Sequence, residues 1–132
     1  MSVSKIVAAA ASGVGGEALN VEDVFSTYLY DGTGSAQTIT NGIDLDGEGG
    51  LVWTKGRSMS SAGYHQLIDT VRGVGKFLSS DLTQQEYTDT QTISAFNSTG
   101  YAIGNDAQVN TNNETFASWT FRKAPKFFDV VT

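Results

Sequence analysis

His65 is the only histidine in the chain, and Asp69 follows it by four residues. With the many serines, a Ser-His-Asp set is formally possible. Its spacing argues otherwise. Tyr64-His65-Gln66 reads as part of a strand, and no Gly-x-Ser-x-Gly elbow stands nearby to present a nucleophile. His65 is expected as an outward strand residue, and a lone histidine makes a poor transition-metal site. Asp69-Thr-Val-Arg-Gly73 is the most patterned charged segment. The expected role of Asp69 and Arg72 is to satisfy each other or nearby backbone at a strand end. Glycoside hydrolysis needs two carboxylates at a set separation, and no such pair is visible among the fourteen acidic residues.

Asp44-Leu-Asp-Gly-Glu48 looks superficially like a calcium loop, but the helical-loop signature is missing and an ordinary turn is expected. The glycine runs Gly13–Gly16 and Gly47–Gly50 lack the Gly-Lys-Ser/Thr ending of a phosphate loop. Aromatic rings remain. Trp53, Tyr64 and Tyr101 are candidates for stacking on sugar rings if they face solvent. Core packing is the expectation for both tryptophans, Trp53 and Trp119, while Tyr64 and Tyr101 stay open to either reading.

Composition narrows the classes further. The chain has 132 residues, enough for one domain with a real core. The net charge of −6 argues against a nucleic-acid partner, which needs a basic footprint. The absence of cysteine excludes disulfides, thiolate metal sites and cysteine nucleophiles. No cofactor and no metal is expected. The apolar run Ile6–Ala11 is too short for a signal peptide, and nothing approaches the ~20 apolar residues of a bilayer span. Membrane insertion is therefore not expected.

Fifteen glycines, a single proline and abundant Thr, Ser and Asn describe short strands joined by turns. Strands are expected at Val24–Tyr30, Ala36–Thr40, Ile43–Leu45, Leu51–Lys55, Tyr64–Val71, Lys76–Leu78, Gln91–Phe96, Tyr101–Ile103 and Thr115–Phe121. Asn41-Gly42 carries the strongest short hairpin signal. Ser79–Thr90 is polar, with room for a helical turn. In the last strand Ala117, Trp119 and Phe121 share one face and Phe116 takes the other. Roughly eight to ten short strands at this spacing predict an all-β fold, an antiparallel β-sandwich.

Three segments follow. Residues 1–20 form an N-terminal arm, either a flexible leader or a docking element, with room for a short helix over Val3–Ala11 and a Gly13–Gly16 joint. Its Ile6, Val7, Val14 and Leu19, with Val21 just beyond, are apolar enough to dock on a partner. Residues 21–124 form the sandwich. Residues 125–132 read as a linker around Pro125 and the first strand of a following module, Phe127–Thr132, resembling Val24–Tyr30.

The run Phe25–Leu45, the segment Gly49–Arg57, Asp69–Gly73 with Lys76–Ser80, and Ala117–Thr132 together resemble virion structural proteins of marine bacteriophages, of the tail-fibre-like or tail-associated kind. The likeness runs from about Val21 to Thr132. It implies concanavalin A-like or laminin G-like (or jelly-roll) sandwich modules, a non-enzymatic role, and attachment of this module to other virion proteins of the tail or capsid. It also implies a homo-oligomer, trimeric by analogy. Contact with a host-surface glycan would fall to a distal module. The location implied is the virion, after assembly in the bacterial cytoplasm. A carbohydrate-binding module and a capsid decoration protein are the alternatives, and the resemblance carries no catalytic residues.

Overall fold

The computed structural model describes residues 18–132. The expected helix over Val3–Ala11 and the docking candidates Ile6, Val7 and Val14 lie outside the described residues. The chain is an antiparallel β-sandwich. A four-residue helical turn, α1 (Val21–Val24), leads into β1 (Phe25–Asp31). Then come β2 (Gln37–Thr40), β3 (Gly50–Gly56), β4 (Gln66–Asp69), β5 (Lys76–Ser79), β6 (Tyr87–Thr88), β7 (Ile93–Asn97) and β8 (Gly100–Ile103). A second turn of helix, α2 (Ala107–Asn110), precedes β9 (Thr115–Arg122). The large sheet runs β1-β9-β3-β4-β5-β6 and the small one β2-β8-β7.

Alternation builds the core. Ser26, Tyr28 and Tyr30 on β1 stand opposite Thr120, Ser118 and Phe116 on β9, which in turn face Val52, Thr54 and Gly56 on β3. Ile68 continues the row on β4. This is the inward face. Phe116 is fully buried and its ring stacks on Tyr30 at 5.2 Å and 11°. The small sheet answers with Ile39, Ile93, Tyr101 and Ile103, all buried. Tyr30 reaches across to donate its hydroxyl hydrogen to the Val109 carbonyl of α2 at 2.9 Å. Burial pushes the phenols of Tyr30 and Tyr101 far above their ordinary range.

Expectations change at three places, residues 41–45, 79–90 and 127–132. Asn41-Gly42 does turn, with Gly42 at φ +83°, but it closes no hairpin. β2 pairs with β8, and Asn41 and Gly42 both donate their N–H to the Thr99 carbonyl. The reason lies in the next residues. Ile43 and Leu45 form no strand; they cross between the sheets and bury their side chains in the core, at 0% and 1% exposure. Ser79–Thr90 holds the two-residue strand β6 and no helix.

The third change is at Phe127–Thr132, which forms no strand. Pro125 ends the ladder, and Lys126 at φ +64° reverses the chain. Ala124 and Phe128 then make a single antiparallel bridge, and Phe128 folds its ring onto Phe121 at 5.3 Å. Lys123 and Asp129 close the bend at 3.1 Å. That contact and the Val130 N–H hold the Asp129 carboxylate below its usual range.

Tyr101 tests the core. Its hydroxyl is sealed beside Ser118, and neither oxygen makes a hydrogen bond of ordinary geometry. A buried hydroxyl without a partner costs stability that a phenyl ring avoids. Tyr101→Phe is expected to hold or raise stability by up to about 1 kcal/mol, whereas Tyr101→Ala is expected to cost about 3–5 kcal/mol. Urea unfolding followed by tryptophan fluorescence distinguishes the two.

Candidate functional site

The outward face of the large sheet is apolar as well. Thr27, Trp119, Trp53, Leu67 and Leu78 lie side by side across five strands. One row along are Phe25, Phe121 and Leu51, and on the other side Leu29, Ala117 and Lys55. Trp53 and Trp119 are direct cross-strand partners with rings 5.4 Å apart at 58°. The expected burial of both tryptophans in the core is corrected: they are half-buried on the outside. β3 and β9 turn Val52, Thr54, Phe116, Ser118 and Thr120 inward, so alternation sends the indoles out.

His65 sits at the edge of this face, one residue before β4. Its Nδ1 accepts the Trp53 indole N–H at 2.8 Å, which leaves the ring proton on Nε2. The backbone N–H of His65 donates to Asp81 at 3.1 Å. Among the described residues no serine is bonded to it.

Asp69 is nearly fully buried at the end of β4. One carboxylate oxygen accepts the backbone N–H groups of Val71 (2.9 Å) and Arg72 (2.8 Å), and the other pairs with the Arg72 guanidinium. Arg72 also reaches Glu86 at 3.2 Å, tying the β4–β5 turn to the segment before β6. As expected from the sequence, the Asp-Arg pattern closes a strand end. Asp44 is likewise engaged locally, accepting the Gly47 N–H at 2.8 Å. Among the described residues no three His, Asp or Glu side chains converge as metal ligands would.

The sugar-stacking candidates separate. Tyr101 is corrected: it is fully buried between the sheets and meets no solvent. It shares a face with Ile103, two residues on, and that spacing marks it as core. Trp53 is tied to Trp119 and His65. Tyr64 is 37% exposed and lines a hollow of about 240 Å³ with Phe77, Ser79, Leu82, Gln84, Tyr87 and Gln108. Tyr87 escaped the sequence reading; its one signal is an isolated ring within a polar run. A larger open bay of about 600 Å³ lies under the C-terminal bend, but its Lys123 and Asp129 already pair with each other.

Of the docking candidates among the described residues, Leu19 is 46% and Val21 67% exposed. They lie just ahead of β1, the outermost strand of the large sheet. β1 is long, carries no lysine, proline or bulge, and presents Leu29 at 58% exposure. Native edges are commonly blunted by such features.

On α2, Asp106 caps the helix by accepting the Gln108 N–H at 2.9 Å. Burial raises the pKa of its carboxyl, and the neighbouring Asp89 adds to the rise.

A known protein family, described as Domain of unknown function (DUF7483), matches residues 20–126. The chain belongs to that family. The match spans the sandwich from the residue before α1 to the C-terminal bend. No curated protein and no solved structure matches the chain.

Asp69→Ala would strand two backbone N–H groups and a guanidinium. It is expected to lower the unfolding free energy by about 2–3 kcal/mol. Glu86→Ala, at the exposed end of the same cluster, is expected to cost under about 1 kcal/mol. Denaturant midpoints measured side by side check the ranking.

Proposed function

We propose that this chain is a non-enzymatic structural component of a bacteriophage particle, a tail fibre or tail-associated protein. One observation carries the reading: among the described residues the large sheet is apolar on both faces and open along β1. One face makes the protein's own core. The second is covered by Phe128 at its Phe121 end and otherwise has no such role within the described chain, which suits a body built to be stacked. The likeness to marine phage virion proteins points the same way.

The occupant proposed for the outer face is a second copy of this chain. The apolar rows span about 20 Å across five strands and about 14 Å along them, roughly 300 Å². A stable interface needs about 800 Å² per partner. The face therefore has to work together with its neighbours, the unguarded β1 edge and the exposed Leu19 and Val21. That continuity supports a homo-oligomer, with a trimer as the proposed form. Other virion proteins of the tail or capsid would hold the assembly on the particle, through the segment containing Ile6, Val7 and Val14. A capsid decoration protein would use the same surfaces. Host-surface glycan contact would lie with a distal module.

Analytical ultracentrifugation of the full chain is expected to show an oligomer. Leu29→Lys, at the exposed edge of the face, is expected to shift it towards monomer without loss of thermal stability of the monomer. A chain that is monomeric at every accessible concentration removes the self-association. Deleting residues 1–17 is expected to leave the sandwich folded and to prevent incorporation into particles; normal incorporation of that deletion would remove the docking role.

A further inference from the structure

The hollow at the β4–β5–β6 end of the large sheet has a composition unlike the rest of the surface. Phe77 forms part of its wall and is only 5% exposed. Tyr87 stacks on Phe77 almost in parallel, with centroids 5.8 Å apart at 18°. Phe77 thus backs one face of the Tyr87 ring, and Tyr87 stays 47% exposed. Tyr64 adds a second ring to the lining. Around these rings stand only neutral polar groups, the amides of Gln84 and Gln108 and the hydroxyl of Ser79.

The polar groups are positioned from behind. Gln66 is fully buried, and its Nε2 donates to Gln108 Oε1 at 2.7 Å. Gln108 is held at its backbone too, through its N–H to Asp106. With its oxygen engaged, Gln108 keeps its amide N–H groups for the hollow. Asp81, next in sequence to the lining residue Leu82, accepts the His65 N–H. Arg72 and Glu86 are paired with each other.

We propose that this hollow binds one neutral pyranose unit of a saccharide. A sugar ring offers an apolar C–H face and a rim of hydroxyls. The Tyr87–Phe77 pair supplies a rigid aromatic platform for the first, with Tyr64 beside it. Gln84, Gln108 and Ser79 supply donors and acceptors for the second. A few fixed polar groups in an otherwise apolar concavity are the mark of small-ligand sites. The lining carries no charged side chain, which selects against uronic and sialic acids, whose carboxylates would lose water without a cationic partner. The volume of about 240 Å³ lies below the roughly 300–1,000 Å³ of drug-sized sites, so a single ring is the fit. The site is distinct from the oligomer surface described above, since Phe77 and Ser79 alternate with Leu78 and lie on the opposite face of β5 from the outer apolar row.

The test is a titration of the full chain with methyl glucoside, methyl galactoside, methyl mannoside and N-acetylglucosamine, followed by amide chemical shifts. At least one is expected to bind with a dissociation constant on the order of 1 mM, moving the resonances of Tyr64, Phe77, Gln84, Tyr87 and Gln108 together. Tyr87→Ala is expected to weaken binding by about tenfold or more, and Tyr87→Phe to leave it nearly unchanged, because the ring acts and the hydroxyl does not. Tyr87 is half-exposed on a two-residue strand, so both variants are expected to fold; an unchanged melting curve confirms it. Three results would overturn the proposal: no shift with any of the four sugars, binding that survives Tyr87→Ala, or, with glucuronate titrated alongside, tighter binding of glucuronate than of the four neutral sugars.

Discussion

β9 pairs with β1 along seven residues on one side and with β3 along seven on the other. The first and last strands of the described chain therefore lie side by side, β1 at the edge of the large sheet and β9 just inside it. Everything else is hung on that arrangement. Phe116, Ser118 and Thr120 on β9 meet Tyr30, Tyr28 and Ser26 on one neighbour and Gly56, Thr54 and Val52 on the other. A one-residue slip of β9 would put Phe116 outside and bring Trp119 in. Pairings of such long sequence separation form late and at high entropic cost, so the sandwich is expected to be a slow folder.

The register has consequences on both faces at once. By seating Phe116 against Tyr30, it sends Trp119 against Trp53 on the outside. Phe121 goes outward with them, where Phe25 and Phe128 gather at 5.0 and 5.3 Å. The C-terminal bend therefore packs on the same apolar surface that the β1 edge borders. A sheet with two greasy faces is an unusual solution for a body bounded by water, and a common one for a layer in a stack. The opposite end of the sheet is different. There the two-residue β6 leaves a hollow of tyrosines and amides in place of a flat face.

Much of this was legible in the residues. The strand positions follow from alternation and from glycine and asparagine turns. The Asp69–Arg72 pairing followed from its place at a strand end. What was not legible came from competition between equal local signals. Asn41-Gly42 is a strong turn, but the segment after it is used to plug the core with Ile43 and Leu45. Phe127–Thr132 has strand-forming residues, yet no neighbouring strand pairs with them, and Pro125 turns them back. The Tyr64–Tyr87 hollow joins residues of β5, β6, α2 and the loops beside them, and no spacing in the sequence announces it. Tyr101 looked available because its hydroxyl is polar, while its partnership with Ile103 places it inside.

By itself, the sequence determined that this is an all-β chain, where most of its strands run, and that β9 has Phe116 on one face and Ala117, Trp119 and Phe121 on the other. It did not determine which face turns inward. Each carries at least one large aromatic ring, so period-two alternation alone does not make the choice. Only the tertiary structure decided it. The small sheet supplies Ile39, Tyr101 and Ile103 to one side alone, and Tyr30 stacks on Phe116 there, so the smaller residues of β9 went in and its tryptophan was left outside.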